Sequence, residues 1–241
     1  MSNSTIITID GPSGTGKGTV CSNLAYLLGW NFLDSGALYR ALALAAERNQ
    51  INTEDQLGLI KLIDNLDVEF KIYSNKKTAP VFLEVLLNGE TITNEIRTET
   101  CGKMASIIAP ITAVRKALLV RQQGFCKEPG LIADGRDMGT VVFPDAELKI
   151  FLTASIEERA KRRFEQLKAG GISVSLRRLR MEIEERDDRD SSRQVSPLRP
   201  AEDAVVVDTT DVNVDGVIKK ISALVIDKIP NLPKRAVDYL R

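Results

Sequence analysis

Residues 5–20 read TIITIDGPSGTGKGTV, an apolar, β-branched run that meets glycines and a lysine, then apolar residues at helical spacing. Gly11, Gly16 and Lys17 satisfy the phosphate-loop pattern G-x-x-x-x-G-K-[ST], but Gly18 stands where a Ser or Thr hydroxyl ordinarily meets Mg²⁺. Glycines in such a loop let backbone N–H groups curl around phosphate oxygens. The following helix adds its positive end, and Lys17 supplies a mobile ammonium. Two glycines and a lysine at this spacing arise by chance in roughly one chain of this length in fifteen. The strand before, the helix after and the extra glycines at 14 and 18 make coincidence remote, so a nucleotide phosphate is the expected ligand.

Three more strings carry charge in suggestive places. In DSGALYR (34–40), Arg40 lies in the first turns of an otherwise apolar helix, and a planar cation beside a helix N-terminus is a second candidate phosphate site. The plainer alternative is that Asp34 and Ser35 simply cap that helix. LIADGRDMGT (131–140) ends an apolar strand with two carboxylates and an arginine, at the strand end where open α/β sheets place ligands. Asp134 stands where an acid would orient Mg²⁺ through water; the alternative is a loop ion pair between Arg136 and an Asp. In IEERDDRDSSR (183–193), a continuing helix would put Arg186, Asp190 and Arg193 at i, i+4, i+7 on one face. Against this stands a solvated face with i,i+4 pairs such as Glu182 and Arg186, worth only tenths of a kcal/mol. The DDRD run matches no metal-ligand spacing.

What must position these strings is an alternation of strands and helices. A strand over 4–9 precedes the loop, and Val20, Leu24, Leu27 and Leu28 then mark one helix face that Gly29 stops. WNFL (30–33) reads as a second strand, leading through DSG into the helix ALYRALALAAERN. GLIADG (130–135) and LKIFLT (148–153) are near-continuous apolar runs typical of strands covered on both faces. DAVVVDTT (203–210) is a fifth strand and VDGVIKKISALVIDKI (214–229) a closing helix, giving a parallel α/β sheet. Two segments break the rhythm. From 67 to 95, VEFKIY and VFLEVLLNGETI predict antiparallel strands turning at Asn88-Gly89. From 155 to about 199 the chain is charged and arginine-rich, with Ser155 and Glu158 as a capping box, Ile156, Ala160, Phe164 and Leu167 on one helix face, Gly170-Gly171 as a break, and a second helix from about Ser175.

Composition narrows the chemistry further. The 241 residues contain no histidine, which removes imidazole bases, Ser-His and Cys-His triads, and His-ligated zinc. With 33 basic and 33 acidic side chains and 5% aromatic residues, the chain lacks the basic excess and stacking platforms of a nucleic-acid binder. No apolar run approaches the roughly 18 residues of a membrane span. The opening MSNSTIITID has neither a basic n-region nor a long apolar stretch, so no signal peptide is expected. Cys21, Cys101 and Cys126 are too scattered for a disulfide framework or zinc site and are expected as small buried residues in a reducing cytoplasm.

Taken together, GPSGTGKGT, LDSGALYR, LIADGRDMGTVVFPDA and ERDDRD resemble the nucleoside monophosphate kinases, and specifically the bacterial cytidylate (CMP/dCMP) kinases, in order and spacing across essentially all of the chain. The resemblance implies a P-loop NTPase-type five-stranded parallel sheet flanked by helices, within a single domain. The core would span 1–63, 110–154 and 200–241, with an antiparallel β-containing NMP-binding insert at 64–109 and a short helical lid at 155–199. It also accounts for Gly18: kinases of this kind carry glycine after the lysine and leave the metal mainly to substrate phosphates and waters, with Thr19 in a position to assist.

Carried over by position, the resemblance puts ATP on Gly11, Pro12, Ser13, Gly14, Thr15, Gly16, Lys17, Gly18 and Thr19, with phosphates on Gly14 to Thr19. Ser35, Arg40 and Arg136 would serve the CMP phosphate, with Gly36, Asp134 and Gly135 beside them. Ser106, Arg115, Asp137 and Arg193 would frame the cytosine, and Arg186 and Asp190 would reach the sugar or phosphate from the lid. Lys17, Arg40, Arg136 and Arg186 are the implied catalytic set, with Mg²⁺ held through phosphates and waters and ATP as co-substrate. A monomeric cytoplasmic enzyme acting on ATP and CMP or dCMP is expected, without nucleic-acid or membrane partners. The alternatives are a UMP or dTMP kinase, or a non-enzymatic nucleotide-binding switch. A GTPase-like switch would need N-K-x-D, and Asn75-Lys76-Lys77 is followed by Thr78.

Overall fold

Five strands pair in parallel in the order β2-β6-β1-β7-β8, which buries the apolar runs of the three inner strands between helices. They are β1 (Thr5–Asp10), β2 (Asn31–Asp34), β6 (Gly130–Gly135), β7 (Leu148–Thr153) and β8 (Val205–Asp208). The computed structural model describes residues 4–74, 80–230, 232 and 237; the Asn75-Lys76-Lys77-Thr78 stretch therefore lies outside the described residues. Register is what builds the site. Asp34 lies opposite Asp134 and Asp10 opposite Gly135, so the carboxyl ends of β2, β6 and β1 finish side by side.

Helices α1 (Lys17–Leu28) and α8 (Val214–Lys228) cover one face, packing Val20, Leu24, Val217, Ile221 and Val225 on Ile7 and Ile9. The other face packs Leu33, Leu131 and Ala133 against α2 (Ser35–Arg48), α4 (Glu99–Ile108) and α5 (Thr112–Gln123), through Leu38, Leu42, Ile108 and Leu118. After α3 (Gln56–Asp64) comes a separate antiparallel sheet of β3 (Val68–Ser74), β4 (Val81–Leu87) and β5 (Glu90–Thr91). Its β4–β5 turn is the expected Asn88-Gly89, both at positive φ. Cys21 and Cys101 are buried as expected, whereas Cys126 is only half-buried. Among the described residues no helix is long and apolar enough to cross a membrane.

The arginine-rich segment folds as two helices, α6 (Ile156–Ala169) and α7 (Leu176–Ser191). Three local expectations need correction. Ser155 does cap α6, its hydroxyl accepting from Glu158 N at 3.2 Å, but the box is not reciprocal. The Ser155 N–H instead donates to Thr210 Oγ1 at 3.0 Å, and the Glu158 carboxylate accepts from Arg162 at 2.9 Å. A stronger charged donor one turn on outcompetes a backbone amide already satisfied elsewhere. Likewise Glu182 accepts from Arg178 rather than from Arg186. Finally, α7 stops at Ser191, so Arg193 lies just past the helix instead of on its face.

Candidate active site

The loop between β1 and α1 is shaped by backbone that side chains cannot follow. Gly11 has φ +146° and lies so close to β7 that a Cβ there would be 2.1 Å from the Leu152 carbonyl oxygen. Gly16 ends the loop at positive φ as the N-cap of α1 and offers no side-chain cap. The leading N–H groups of α1 are thereby left for an anion. Lys17, the first residue of α1, is 6% exposed, and its Nζ donates to the Pro12 carbonyl at 2.6 Å. Burial pushes its ammonium down to about 8, Arg136 adds to the effect, and Asp134 opposes it. Asp134 is itself pushed up to about 7 by burial and by Asp34 beside it. Gly18 faces this carboxylate, a Cβ there standing 3.6 Å from Asp134 Oδ2. Thr19 is exposed at the start of the helix.

Beside the loop opens a cleft. From α2 it is lined by Ser35, Gly36, Tyr39 and Arg40, and from the α4 side by Ser106. Arg115 of α5 and Gly135, Arg136 and Asp137 after β6 form its floor, and Arg186, Asp190 and Arg193 close it from the lid side. The cleft thus gathers every residue expected to bind the second substrate except Asp134, which belongs to the phosphate-loop side.

Two groups of ion pairs organise the cleft. Arg115 pairs with Asp137, while Asp190 holds Arg136 with one oxygen and Arg193 with the other. Burial pushes Asp190 up, but Arg136 and Arg193 outweigh it and leave the carboxyl below its ordinary value. Arg186 is different. Burial and the neighbouring Arg136 lower it to about 10, and its buried Nε has no partner. Arg40 Nη1 donates to the Ile96 carbonyl at 2.6 Å and to that of Thr98 at 3.3 Å, tying α2 to the segment before α4. Ser35 Oγ donates to Gln122 Oε1 at 2.7 Å, and Ser106 Oγ to the Gly102 carbonyl at 3.0 Å. Asp34 caps α2, its Oδ1 accepting from Ala37 N at 2.8 Å, so capping and site-building coexist there.

Sequence reasoning missed four residues. Tyr39 lines the cleft with a buried hydroxyl that has no protein partner, and burial pushes it up to about 12. Its position four residues after Ser35, on the same helix face, was the available signal. Gln122 accepts from Ser35 and Asp10 accepts from the loop after β6; a carboxylate at a strand's carboxyl end was the clue for Asp10, as it was for Asp134. Arg159, 3% exposed, donates to the Ser13 carbonyl at 3.1 Å and pairs with Asp187, joining the phosphate loop to both lid helices. Nothing in the sequence separates it from its neighbouring arginines. Among the described residues no three His, Cys, Asp or Glu side chains gather as a metal cage.

Known proteins resemble this chain along most of its length. Residues 7–227 match the family model described as cytidylate kinase. A cytidylate kinase from Aeromonas salmonicida is 54% identical over 218 residues, covering 90% of this chain and 92% of that protein. One from Serratia proteamaculans is 55% identical over 215 residues, covering 89% and 91%. Among solved structures, a shikimate kinase from Acinetobacter baumannii overlaps 95% of this chain and 97% of its own at 15% identity, with a TM-score of 0.44, too low to argue from. On the family match and the identity of its relatives, the chain belongs to the cytidylate kinase family.

Proposed function

We propose that this chain transfers the γ-phosphoryl group of ATP to CMP or dCMP, yielding ADP and CDP or dCDP. The observation that carries the reading is the cleft itself, where one set of arginines meets the base-framing pair Arg115–Asp137 within reach of the phosphate loop. Phosphoryl transfer asks little covalent chemistry of the protein; it asks for alignment and for positive charge where the transferred group develops negative charge. The loop amides and Lys17 would hold the ATP phosphates, Lys17 leaving the Pro12 carbonyl to do so. Arg40 and Arg136 would grip the acceptor phosphate in line with them. Arg186, with its unpartnered Nε, would reach the bridging region from the lid.

The donor set fits a metal brought in on the nucleotide. Asp134 is a buried carboxylate opposite Gly18, beside Asp34, able to take a metal-bound water, and no protein cage surrounds it among the described residues. Mg²⁺ bound there would neutralise phosphate charge and orient the oxygens. Removing the Lys17 ammonium should cost on the order of 10²–10⁴ in turnover with the fold intact. The test is ADP release from ATP with CMP, dCMP, UMP and dTMP, in the wild type and Lys17→Ala. Turnover with CMP and dCMP, collapsing in the variant, is the expected result. Near-normal turnover in Lys17→Ala would end the phosphate-loop assignment, and preference for UMP or dTMP would end the substrate assignment.

A further inference from the structure

Asp10 closes β1 one residue before the phosphate loop, yet its side chain serves the other half of the site. Its two carboxylate oxygens accept backbone N–H groups from the loop after β6, Met138 N at 2.9 Å and Gly139 N at 2.8 Å. The residue is 5% exposed. Those two amides immediately follow Arg136 and Asp137, the side chains that reach into the cleft and pair with Asp190 and Arg115. The turn they begin, Met138–Val142, has no side-chain cap of its own. The approach is also tight, since a Cβ on Gly139 would lie 2.8 Å from Thr8 Oγ1.

We propose that Asp10 is a positioning residue for the CMP side of the site. By gripping the amides of 138 and 139 from the end of the phosphate-loop strand, it sets where Arg136 and Asp137 stand. Only a carboxylate offers an acceptor to both amides; an Asn would aim its NH₂ at one of the N–H groups. Burial pushes Asp10 up to about 6 and the two N–H bonds pull it back, so at neutral pH the acceptor form prevails.

The inference rests on the cytidylate kinase reading, and its test keeps the two apart. KM for CMP, KM for ATP and the CMP-to-UMP ratio of kcat/KM are measured in the wild type, Asp10→Asn and Asp10→Glu, with the melting temperature of each. Failure of the wild type to phosphorylate CMP would sink the underlying reading. Given an active wild type, Asp10→Asn should raise KM for CMP by about 10- to 100-fold, the scale of small misplacements at a site. It should also shrink the CMP-to-UMP ratio while leaving KM for ATP in place. Asp10→Glu keeps both acceptors but displaces them by a methylene, so it should move the same quantities by less; it decides the matter if the Asn variant does not fold. An unchanged KM for CMP and an unchanged ratio would overturn the proposal. So would an equal rise in both KM values that tracks only the lost melting temperature, the sign of a purely structural carboxylate.

Discussion

Lys17 and Asp134 share one buried corner, and each favours the other's charged form against the cost of burial. Desolvation lowers the Lys17 ammonium to about 8, and Asp134 is the opposing influence. The ratio kcat/KM reports ionisations of the free enzyme, and in the proposed role the charged form of Lys17 is the one that would meet phosphate. Charge is therefore lost as pH rises through about 8, well below the usual lysine range, and kcat/KM for ATP should fall along that limb. Asp134→Asn removes the supporting negative charge, so the limb should move to lower pH, whatever happens to the absolute rate. A limb that stays in place in the variant would mean that Asp134 does not act on Lys17. Single residues also mark where sequence reading ran short. Lys17, Arg40 and Arg136 stand in recognisable strings, but Arg159 matters only because the fold brings Ser13 and Asp187 to it.

The elements that carry these residues differ in how firmly they are held. β6 is buried at every position, whereas α7 buries only Leu179, Ile183 and Asp190. On the lid, Ile172, Leu176 and Met181 are each about half exposed, at 53%, 49% and 52%. Thin apolar burial makes this segment a low-stability unit. Three arginines, Arg136, Arg186 and Arg193, also gather around the single carboxylate Asp190, an excess of charge that substrate phosphates would balance. Amide exchange across residues 155–199 should therefore slow markedly when a bisubstrate analogue is added, as the lid closes and excludes water. Protection that does not change would mean a rigid, merely solvated helix pair. The same contrast explains what was legible. Strands β6 and β7 follow from their apolar runs with no adjustment of ends, while the capping box and the Glu182–Arg186 pair failed because each glutamate takes a different arginine one turn away on its own helix, Arg162 for Glu158 and Arg178 for Glu182.

For the whole molecule, the order of the five strands and the alignment of the carboxyl ends of β2, β6 and β1 depend on pairing and register, which no single string contains. What the sequence did allow was the resemblance, because the strings at 34–40, 131–140 and 183–193 each send residues into one cleft, and the string at 11–19 forms the loop beside it. Tyr39 and Gln122 escaped notice because a buried tyrosine and a buried glutamine look like core filling until a cleft is seen beside them. The central claim is that this cleft reads cytosine. The 4-amino group donates and N3 accepts in cytosine, while uracil reverses both. Asp137 and Ser106 can accept from the amino group, and Arg115 or Arg193 can donate to N3 or O2. UMP would set acceptor against acceptor and donor against donor, each mismatch costing roughly 1–3 kcal/mol, and about 1.4 kcal/mol is a factor of ten. The most direct measurement is kcat/KM for CMP against UMP, in the wild type and in Asp137→Asn. The account predicts a preference for CMP of about 10- to 1000-fold that shrinks in the variant; equal efficiency in the wild type, or a ratio the variant leaves unchanged, would contradict it.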